Sequence, residues 1–394
     1  MDLGYGEEDE RFRSELRAWL EGSVPAEWRQ PGFWLSLDAD ESFERRRDWE
    51  ASKTAAGFSG IDWPTEFGGR GGTPAQKAIH DEELARAGAP TTVNALGLAF
   101  LAPTVMAIGT DEQKKEIIGP LLRNEVIWCQ GFSEPGAGSD LAAVRTRGVL
   151  DGDEYVVNGQ KIWTSNALHA DKMFTIVRTH PGEKKHQGLS MLLIDLHTPG
   201  IEVRPLRQMS GAYDFGEVFL TDARVPATSV LGAPGEGWKV AMLLLSFERG
   251  SSALGQYTLF RRELDTLVDL ARRVERNGRP AIEDPGIRQG IASVHIELET
   301  LRLHSLSVLT QVERGKPLGA TSSLTKLQWS SAHQSLGDLF TEVAGADAGL
   351  LAGTDPAIGA LQRAFLWSRS ETIWGGSSEI QRNIVSEQLL GLPR

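Results

Sequence analysis

Ser133-Glu134-Pro135-Gly136-Ala137-Gly138-Ser139-Asp140 is a polar loop punctuated by glycine, and a turn-rich stretch leads from it to Trp163-Thr164-Ser165-Asn166. Small residues let backbone approach a ligand closely. Hydroxyls and successive backbone N–H groups suit carbonyls and phosphates. Trp163 offers a flat apolar face for an aromatic ring. Together these residues suit a flat, polar heterocycle such as a flavin. The chemistry they point to is redox, and the open question is which group moves a proton beside the ring.

Around this stretch, residues 123–233 carry β signals. Asp151-Gly152 and Asn158-Gly159 read as hairpin turns. Tyr155-Val156-Val157, Met173 to Val177, Leu189 to Ile194 and Val218-Phe219-Leu220 read as strands. Glycine and proline interrupt them at short intervals, as in a small antiparallel barrel or sandwich. The chain before it, residues 1–122, reads helical: Phe12, Leu16, Ala18, Trp19 and Leu20 fit an amphipathic opening helix. Thr110-Asp111-Glu112-Gln113 fits a capped helix start. The segment after it, residues 234–394, is again helical. Leu264, Leu267, Val268, Ala271 and Val274 mark one helix face; Ile287, Ile291, Val294, Leu298, Leu301, Val308 and Val312 mark another. Asn277-Gly278-Arg279-Pro280 breaks between them. The expected fold is therefore mainly α with a central β domain: an N-terminal helical domain (1–122), a middle β domain (123–233) and a C-terminal four-helix bundle (234–394).

A chain of 394 residues with 40% hydrophobic and 24% charged content is an ordinary multidomain globular protein. Its net charge of −12 argues against nucleic acid as the main partner. The only cysteine, Cys129, excludes an intrachain disulfide, reads as a small buried hydrophobe and favours a reducing, cytoplasmic setting. The start is acidic and lacks an apolar run, so neither a signal nor a transit peptide is expected. The run Val240 to Leu245 is too short to span a bilayer.

Several chemistries fall away. No Gly-x-Gly-x-x-Gly joins a strand to a helix, and neither a Walker loop nor a Gly-x-Ser-x-Gly elbow occurs. The eight histidines lack metal-ligand spacing, so no metal is expected. Ser323-Leu324-Thr325-Lys326 matches the Ser-x-x-Lys string of some serine hydrolases, but it falls within an expected helix and lacks the companion motifs.

The remaining strings resemble the acyl-CoA dehydrogenase family over nearly the whole length. They are Trp63-Pro64 with Phe67-Gly68-Gly69; Ser133 to Asp140; Asn158-Gly159-Gln160-Lys161-Ile162-Trp163-Thr164-Ser165-Asn166; Gly235-Glu236-Gly237-Trp238; and Gly376-Ser377-Ser378-Glu379-Ile380-Gln381-Arg382-Asn383-Ile384. The resemblance implies FAD as cofactor and α,β-dehydrogenation of an acyl-CoA thioester to the trans-2-enoyl-CoA, as in β-oxidation. It implies an electron-transfer flavoprotein as acceptor and a homodimer, a homotetramer, or a heterotetramer with a homologous subunit. By the same resemblance Ser133, Trp163 and Ser165 contact the isoalloxazine. Ser139 faces the FAD phosphates or the acyl-CoA, Ser377 and Glu379 belong to the cofactor site, and Arg249 to the substrate site.

Two departures stand out. The family's Arg-x-x-Phe-Gly string, which reaches the FAD of a neighbouring subunit, is matched by Arg279-Pro280-Ala281-Ile282-Glu283, so the arginine stays and the Phe-Gly is lost. A later Gln-x-x-Gly-Gly string is matched by Glu342-Val343-Ala344-Gly345-Ala346. A carboxylate near a pyrophosphate is repelled, and the departures suit a partner that is a different, homologous subunit.

Many family members carry the catalytic glutamate just before the Gly-Thr/Ser of the closing motif. Here that position is Gly375. A second family solution, used by isovaleryl-CoA and long-chain members, places the base on the first bundle helix, where Glu248 stands. The resemblance thus implies Glu248 as the α-proton base and the Gly375 N–H as a donor to the thioester oxygen. The helix-borne base hints at branched, long or bulky substrates, including steroid side-chain thioesters. Alternatives on the same scaffold are an acyl-CoA oxidase, a nitroalkane-oxidase type and a non-catalytic subunit of a heteromer.

Overall fold

The computed structural model describes residues 4–247, 253–316, 319–350 and 355–393. In chain order the helices and strands are α1 (Glu7–Ser23), α2 (Ala39–Ala55), α3 (Pro74–Ala87), α4 (Ala102–Ile108), α5 (Asp111–Leu122), β1 (Trp128–Gly131), β2 (Arg147–Asp151), β3 (Glu154–Ser165), β4 (Lys172–Arg178), β5 (Leu189–Asp195), β6 (Ile201–Leu206), β7 (Phe215–Pro226) and β8 (Val230–Leu231). They continue as α6 (Gly237–Phe247), α7 (Ala253–Arg273), β9 (Glu275–Arg276), β10 (Arg279–Pro280), α8 (Pro285–Glu313), α9 (Thr321–Ala344), α10 (Pro356–Glu371) and α11 (Ser378–Ile384). Packing divides the chain into two compact units. One joins Met1–Glu44, Gly71–Pro90 and Arg249–Arg394; the other joins Arg45–Arg70 and Thr91–Glu248. Among the described residues no helix is long and apolar enough to cross a membrane.

The second unit is built on one sheet with strand order β6-β7-β3-β2-β4-β5-β8, and β1 pairs in parallel with β4. Strands β4 and β5 are buried on both faces. Phe174 and Ile176 of β4, with Leu189, Met191 and Leu193 of β5, join a core that includes Val105, Ile118, Leu121 and Leu244 of α4, α5 and α6. The alternate residues Met173, Val177, Leu192 and Ile194 join a second core with Cys129, Tyr155, Val157, Val218 and Val225. That second core draws on strands and their adjoining turns, with no α-helix residue in it. The inner face is therefore covered by the sheet folding over on itself, in the manner of a barrel. Cys129 lies in this core, fully buried, and burial pushes its thiol pKa far up.

Local signals place the edges of this unit. Thr110 caps α5 in a capping box: its hydroxyl accepts from Gln113 N–H at 3.2 Å and the Gln113 side chain accepts from Thr110 N–H at 3.1 Å. Gln113 Nε2 also donates to Val230 O at 2.9 Å, tying α5 to β8. Asp151 pairs with Glu154 across a two-residue turn in which Gly152 has φ +67°, the expected hairpin. Asn158-Gly159, read above as a hairpin turn, instead lies inside β3. The ladder to β7 slips between Val157 and Gly159, and a Cβ on Gly159 would stand 2.7 Å from Thr146 Cα. Glycine here makes a β-bulge at a close approach, a second use of the same dipeptide chemistry. Asn158 in turn exchanges hydrogen bonds with Asp222 across the bulge, each at 2.9 Å.

The first unit is helical. α7, α8, α9 and α10 share one core, with Phe260, Leu264, Leu267, Ile287, Val294, Leu298, Leu301, Leu336, Phe340 and Leu361 buried between them; α3 packs against α7 and α8, and α1 packs against α3. The faces read from period 3.6 on α7 and α8 are these buried faces. Within the apolar core sits His333 of α9. Its Nδ1 is 2.6 Å from Glu371 of α10 and its Nε2 is 3.0 Å from Glu263 of α7, and its ring stacks on Phe260 at 4.1 Å. Burial alone lowers the imidazole pKa; the two carboxylates, Glu263 first, outweigh it and hold the pKa at about 10.

One buried charge sets the loop at 133–140. Lys161 of β3 is fully buried, and its ammonium donates to Glu134 Oε1 at 2.8 Å, Ile176 O at 2.8 Å and Phe132 O at 3.3 Å. Glu134 accepts in addition from the backbone N–H groups of Thr146 at 2.9 Å and Arg145 at 2.6 Å. Burial lowers the Lys161 pKa to about 8, with Glu134 pulling the other way. Burial alone would raise Glu134; Lys161 and the donated N–H groups hold its carboxyl below the usual range. Each of the three ammonium protons has an acceptor, so the pair is satisfied where it stands.

Removing one partner leaves the other charge buried and alone, which costs about 3–5 kcal/mol. Lys161→Met is therefore expected to lower stability by about that much in urea titrations, and adding Glu134→Gln is expected to recover part of it; strictly additive losses would contradict the pairing. For His333 the folded pKa of about 10 stands above the ordinary 6.5, so between these values the folded state binds more protons than the unfolded. Its contribution is complete below pH 6.5 and is lost as pH rises through about 10. A denaturation midpoint followed over that window should fall more steeply for the wild type than for His333→Gln.

Candidate active site

In the β unit the site residues gather at the loop and the end of β3. Glu134 and Ala137 exchange two backbone hydrogen bonds of 3.0 Å, closing a tight turn that buries Ala137 and leaves Pro135, Gly136, Gly138 and Ser139 exposed. Ser133 O accepts from Ile162 N–H at 2.9 Å, which fastens the loop one residue before Trp163. The ladder from β3 to β7 slips again between Lys161 and Thr164, and both of those side chains are fully buried. Of the two residues between these anchors, Ile162 is half-buried and Trp163 is turned outward: Trp163 has φ +59° and is 55% exposed, with its ring edge-on to Phe215 at 5.9 Å. A left-handed conformation at a bulky residue costs about 1–3 kcal/mol and persists where the surroundings enforce it. Here Lys161 is anchored inward by its three acceptors and the Thr164 side chain is buried in turn, with Trp163 on the outer face. Ser133, Ser139 and Ser165 make no side-chain hydrogen bond with the described residues. Ser133, Trp163 and Ser165 are thus brought to one place by the loop fastening; Ser139 lies further along the exposed loop.

In the helical unit the remaining residues lie around the turn between α10 and α11. Gly375 and Gly376 have φ +65° and +83°, a pair of left-handed residues that glycine alone adopts without cost. A Cβ on Gly376 would stand 2.6 Å from Gln381 Nε2. Both carbonyls of the pair are held: Gln381 Nε2 donates to Gly375 O at 3.0 Å and to Gly376 O at 3.3 Å. Among the described residues neither N–H of the pair finds an acceptor, so both donors are available. Ser377 caps α11, its hydroxyl accepting from Ile380 N–H at 3.4 Å. Glu379 is exposed in the first turn of α11, where the helix's own N–H groups and then Ser377 hold its carboxyl below the usual range. Ile373 and Trp374, just before the glycines, are apolar yet exposed.

The two departures from the family pattern fall together in this unit. Arg279 is exposed on β10 and pairs across its hairpin with Arg276, whose Nη1 donates to Glu342 O at 3.2 Å. Glu342 itself is exposed near the end of α9. Glu248 and Arg249, assigned as base and substrate contact, lie outside the described residues; the helix before them, α6, ends at Phe247 and buries Val240, Ala241 and Leu244 in the β unit.

Two supports went unread in the sequence. The Lys161–Glu134 pair had a signal, because Lys161 falls in phase with the inward Tyr155 and Val157 of its strand. Lys326, set aside with the Ser-x-x-Lys string, donates to Glu371 O at 2.6 Å and Gly376 O at 3.0 Å. Ser323 of that string is buried in α9 and its hydroxyl has no partner among the described residues.

Models of three acyl-CoA dehydrogenase domains match the chain: the N-terminal domain over residues 6–125, the middle domain over 129–223 and the C-terminal domain over 235–390. Acyl-CoA dehydrogenase IpdE1 of Mycobacterium tuberculosis is 42% identical over 386 residues, covering 98% of each chain. The ChsE4-ChsE5 complex from Mycobacterium tuberculosis superposes with a TM-score of 0.85 at 32% identity, over the full length of both chains. A structure described as the Tcur3481-Tcur3483 steroid ACAD gives 0.84 at 30% identity, again over the full length of both. The chain belongs to the acyl-CoA dehydrogenase family, whose members are flavoproteins, and it is an oxidoreductase acting on CH–CH bonds of acyl-CoA thioesters.

Proposed function

We propose that this chain oxidises a bulky acyl-CoA thioester to its trans-2-enoyl-CoA with Glu248 as the α-proton base and FAD as cofactor. The observation that supports the cofactor most directly is Trp163, held outward in a strained conformation beside serine hydroxyls that no described residue engages. An exposed ring face and unspent donors fit an isoalloxazine. In this reading Ser133 and Ser165 hydrogen-bond the ring and Trp163 covers it. Ser139 faces the phosphates or the acyl-CoA, Arg249 the substrate, and Arg279, Ser377 and Glu379 the rest of the cofactor. A bound FAD would supply the acceptor for the β-hydrogen and its electron pair.

The chain's own residues handle the proton. A thioester α-hydrogen is far less acidic than a glutamic acid, whose ordinary pKa is about 4.3. Two effects narrow the gap. Substrate entry dries the site, and a desolvated carboxylate, that of Glu248 in this reading, is a stronger base. The Gly375 N–H, unspent among the described residues, donates to the thioester oxygen where enolate charge develops. One such donor is worth about 3 kcal/mol of barrier. Gly375 therefore keeps the backbone role of its position although the side-chain role has passed to Glu248. The three sequence segments, 1–122, 123–233 and 234–394, are proposed as the domains that carry these parts.

A polycyclic acyl group suits the helix-borne base, and the solved relatives include one described as a steroid ACAD. The acceptor of the electrons is proposed to be an electron-transfer flavoprotein. A second reading, that the active form pairs this chain with a different homologous subunit, is favoured by the grouping of Arg276, Arg279 and Glu342. The exposed carboxylate of Glu342 stands where the family places an amide, so a copy of this chain is a poor donor to a neighbour's pyrophosphate.

Glu248→Gln is expected to leave the flavin spectrum intact and to lower kcat by about 10²–10⁴-fold, the span a general base supplies. Wild-type turnover in that variant would remove Glu248 from the role. Under the second reading this chain purified alone is colourless and gains a flavin spectrum on mixing with its partner subunit; a yellow homo-oligomer with full activity contradicts it.

A further inference from the structure

We infer that Lys326 is a positioning residue for the Gly375–Gly376 turn: its ammonium braces the two ends of the turn and so aims the Gly375 N–H. The inference rests on the reading of that N–H as a donor to the thioester oxygen.

Two consecutive left-handed glycines have little intrinsic preference for one orientation of the peptide planes between them. Something outside the turn must select it. The turn begins where α10 ends at Glu371 and closes where Ser377 caps α11. Lys326, on α9, spans this neck. It donates to Glu371 O, an orphan carbonyl of the α10 C-terminus, at 2.6 Å and to Gly376 O at 3.0 Å. A cation is favoured there, because a helix C-terminus is the negative end of its dipole. The same ammonium lies 5.8 Å from the ring centre of Trp329 and 5.7 Å from that of Trp374, the residue preceding Gly375.

The plane that carries the Gly375 N–H is bracketed on both sides. Before it, Trp374 N–H donates to Ser370 O at 3.1 Å and Trp374 Nε1 to Ser370 Oγ at 3.0 Å. After it, Gly375 O is held by Gln381. Ser378 N–H closes the turn on Thr372 O at 2.9 Å. The anchor for the brace is itself fixed, since the Glu371 side chain is held by His333 in the bundle core. Lys326 and Gln381 engage the carbonyls of the turn, the N–H groups of Gly375 and Gly376 stay unspent among the described residues, and the one the proposed reaction needs is that of Gly375. The Ser-x-x-Lys string thus has a use unrelated to a serine nucleophile: its lysine serves the backbone of a neighbouring turn.

The test uses the flavin-loaded enzyme, in its active oligomer, with a non-oxidisable 3-thia-acyl-CoA, in which sulfur replaces the β-carbon and the thioester is kept, labelled with ¹³C at the thioester carbonyl. Infrared difference spectra of the bound analogue report hydrogen bonding to that oxygen as a red shift. The wild type is expected to show the shift, Lys326→Met to lose most of it, and Lys326→Arg, which keeps the charge and two donors, to keep it. In steady-state assays Lys326→Met should lower kcat at least about tenfold, part of the 10²–10³-fold cost of losing such a donor outright, with KM nearly unchanged. If Lys326→Met does not fold, Lys326→Gln, which keeps a donor without the charge, is read the same way. A retained red shift with kcat within twofold of wild type overturns the role of Lys326, even if the melting temperature falls. Absence of the shift in the wild type would instead overturn the reading of Gly375 on which the inference stands.

Discussion

A single buried ammonium organises the loop at 133–140 and the end of β3. Lys161 is fully buried, so its charge requires three acceptors, and these come from two separate segments: Phe132 O and Glu134 at the start of the loop, and Ile176 O on β4. Glu134 then recruits the backbone at Arg145 and Thr146 on the far side. The loop cannot drift without leaving a charge unpaired in the core. The same inward demand of Lys161, with Thr164 following it, leaves Trp163 no direction but outward. Stability and the outward placement of Trp163 are therefore one constraint: the strain at Trp163 is held by the burial on either side of it.

The helical unit solves a different problem. Where a carboxylate stands in many relatives, this chain has two glycines, and glycine gives up orientation along with the side chain. The structure restores orientation from outside. Lys326 and Gln381 take the carbonyls, Ser370 takes Trp374, and His333 between two carboxylates fixes the end of α10. Loss of a catalytic side chain at Gly375 is thereby compatible with retention of a backbone donor at the same place.

How much of this was legible in the sequence differs by element. The helix faces on α7 and α8, the capping box at Thr110 and the hairpin at Gly152 follow from local chemistry, and the structure has them where the residues put them. Asn158-Gly159 misled because a turn and a bulge both need glycine, and only the partner strand, with Thr146 against Gly159, decides between them. The short strands β1, β6 and β8 went unread; β1 pairs in parallel with a strand more than forty residues on, which no local pattern announces. The motifs single out Ser133, Trp163 and Ser165, and the structure fastens their two segments together through Ile162 N–H and Ser133 O. Lys326 was not legible, because its partners are backbone carbonyls on another helix and the adjoining turn, and carbonyls leave no mark in a sequence.

The central claim is that this scaffold removes hydrogen from the α and β carbons of a bulky acyl-CoA thioester and hands a hydride to FAD. Anaerobic titration of the flavin-loaded enzyme with a panel of acyl-CoAs, from short straight chains to steroid side-chain thioesters, tests it most directly. The account predicts stoichiometric bleaching of the flavin by the bulky thioesters with matching enoyl-CoA formation, and little bleaching by the short ones. An oxidised flavin that no acyl-CoA in the panel bleaches, or bleaching without enoyl-CoA, would contradict it.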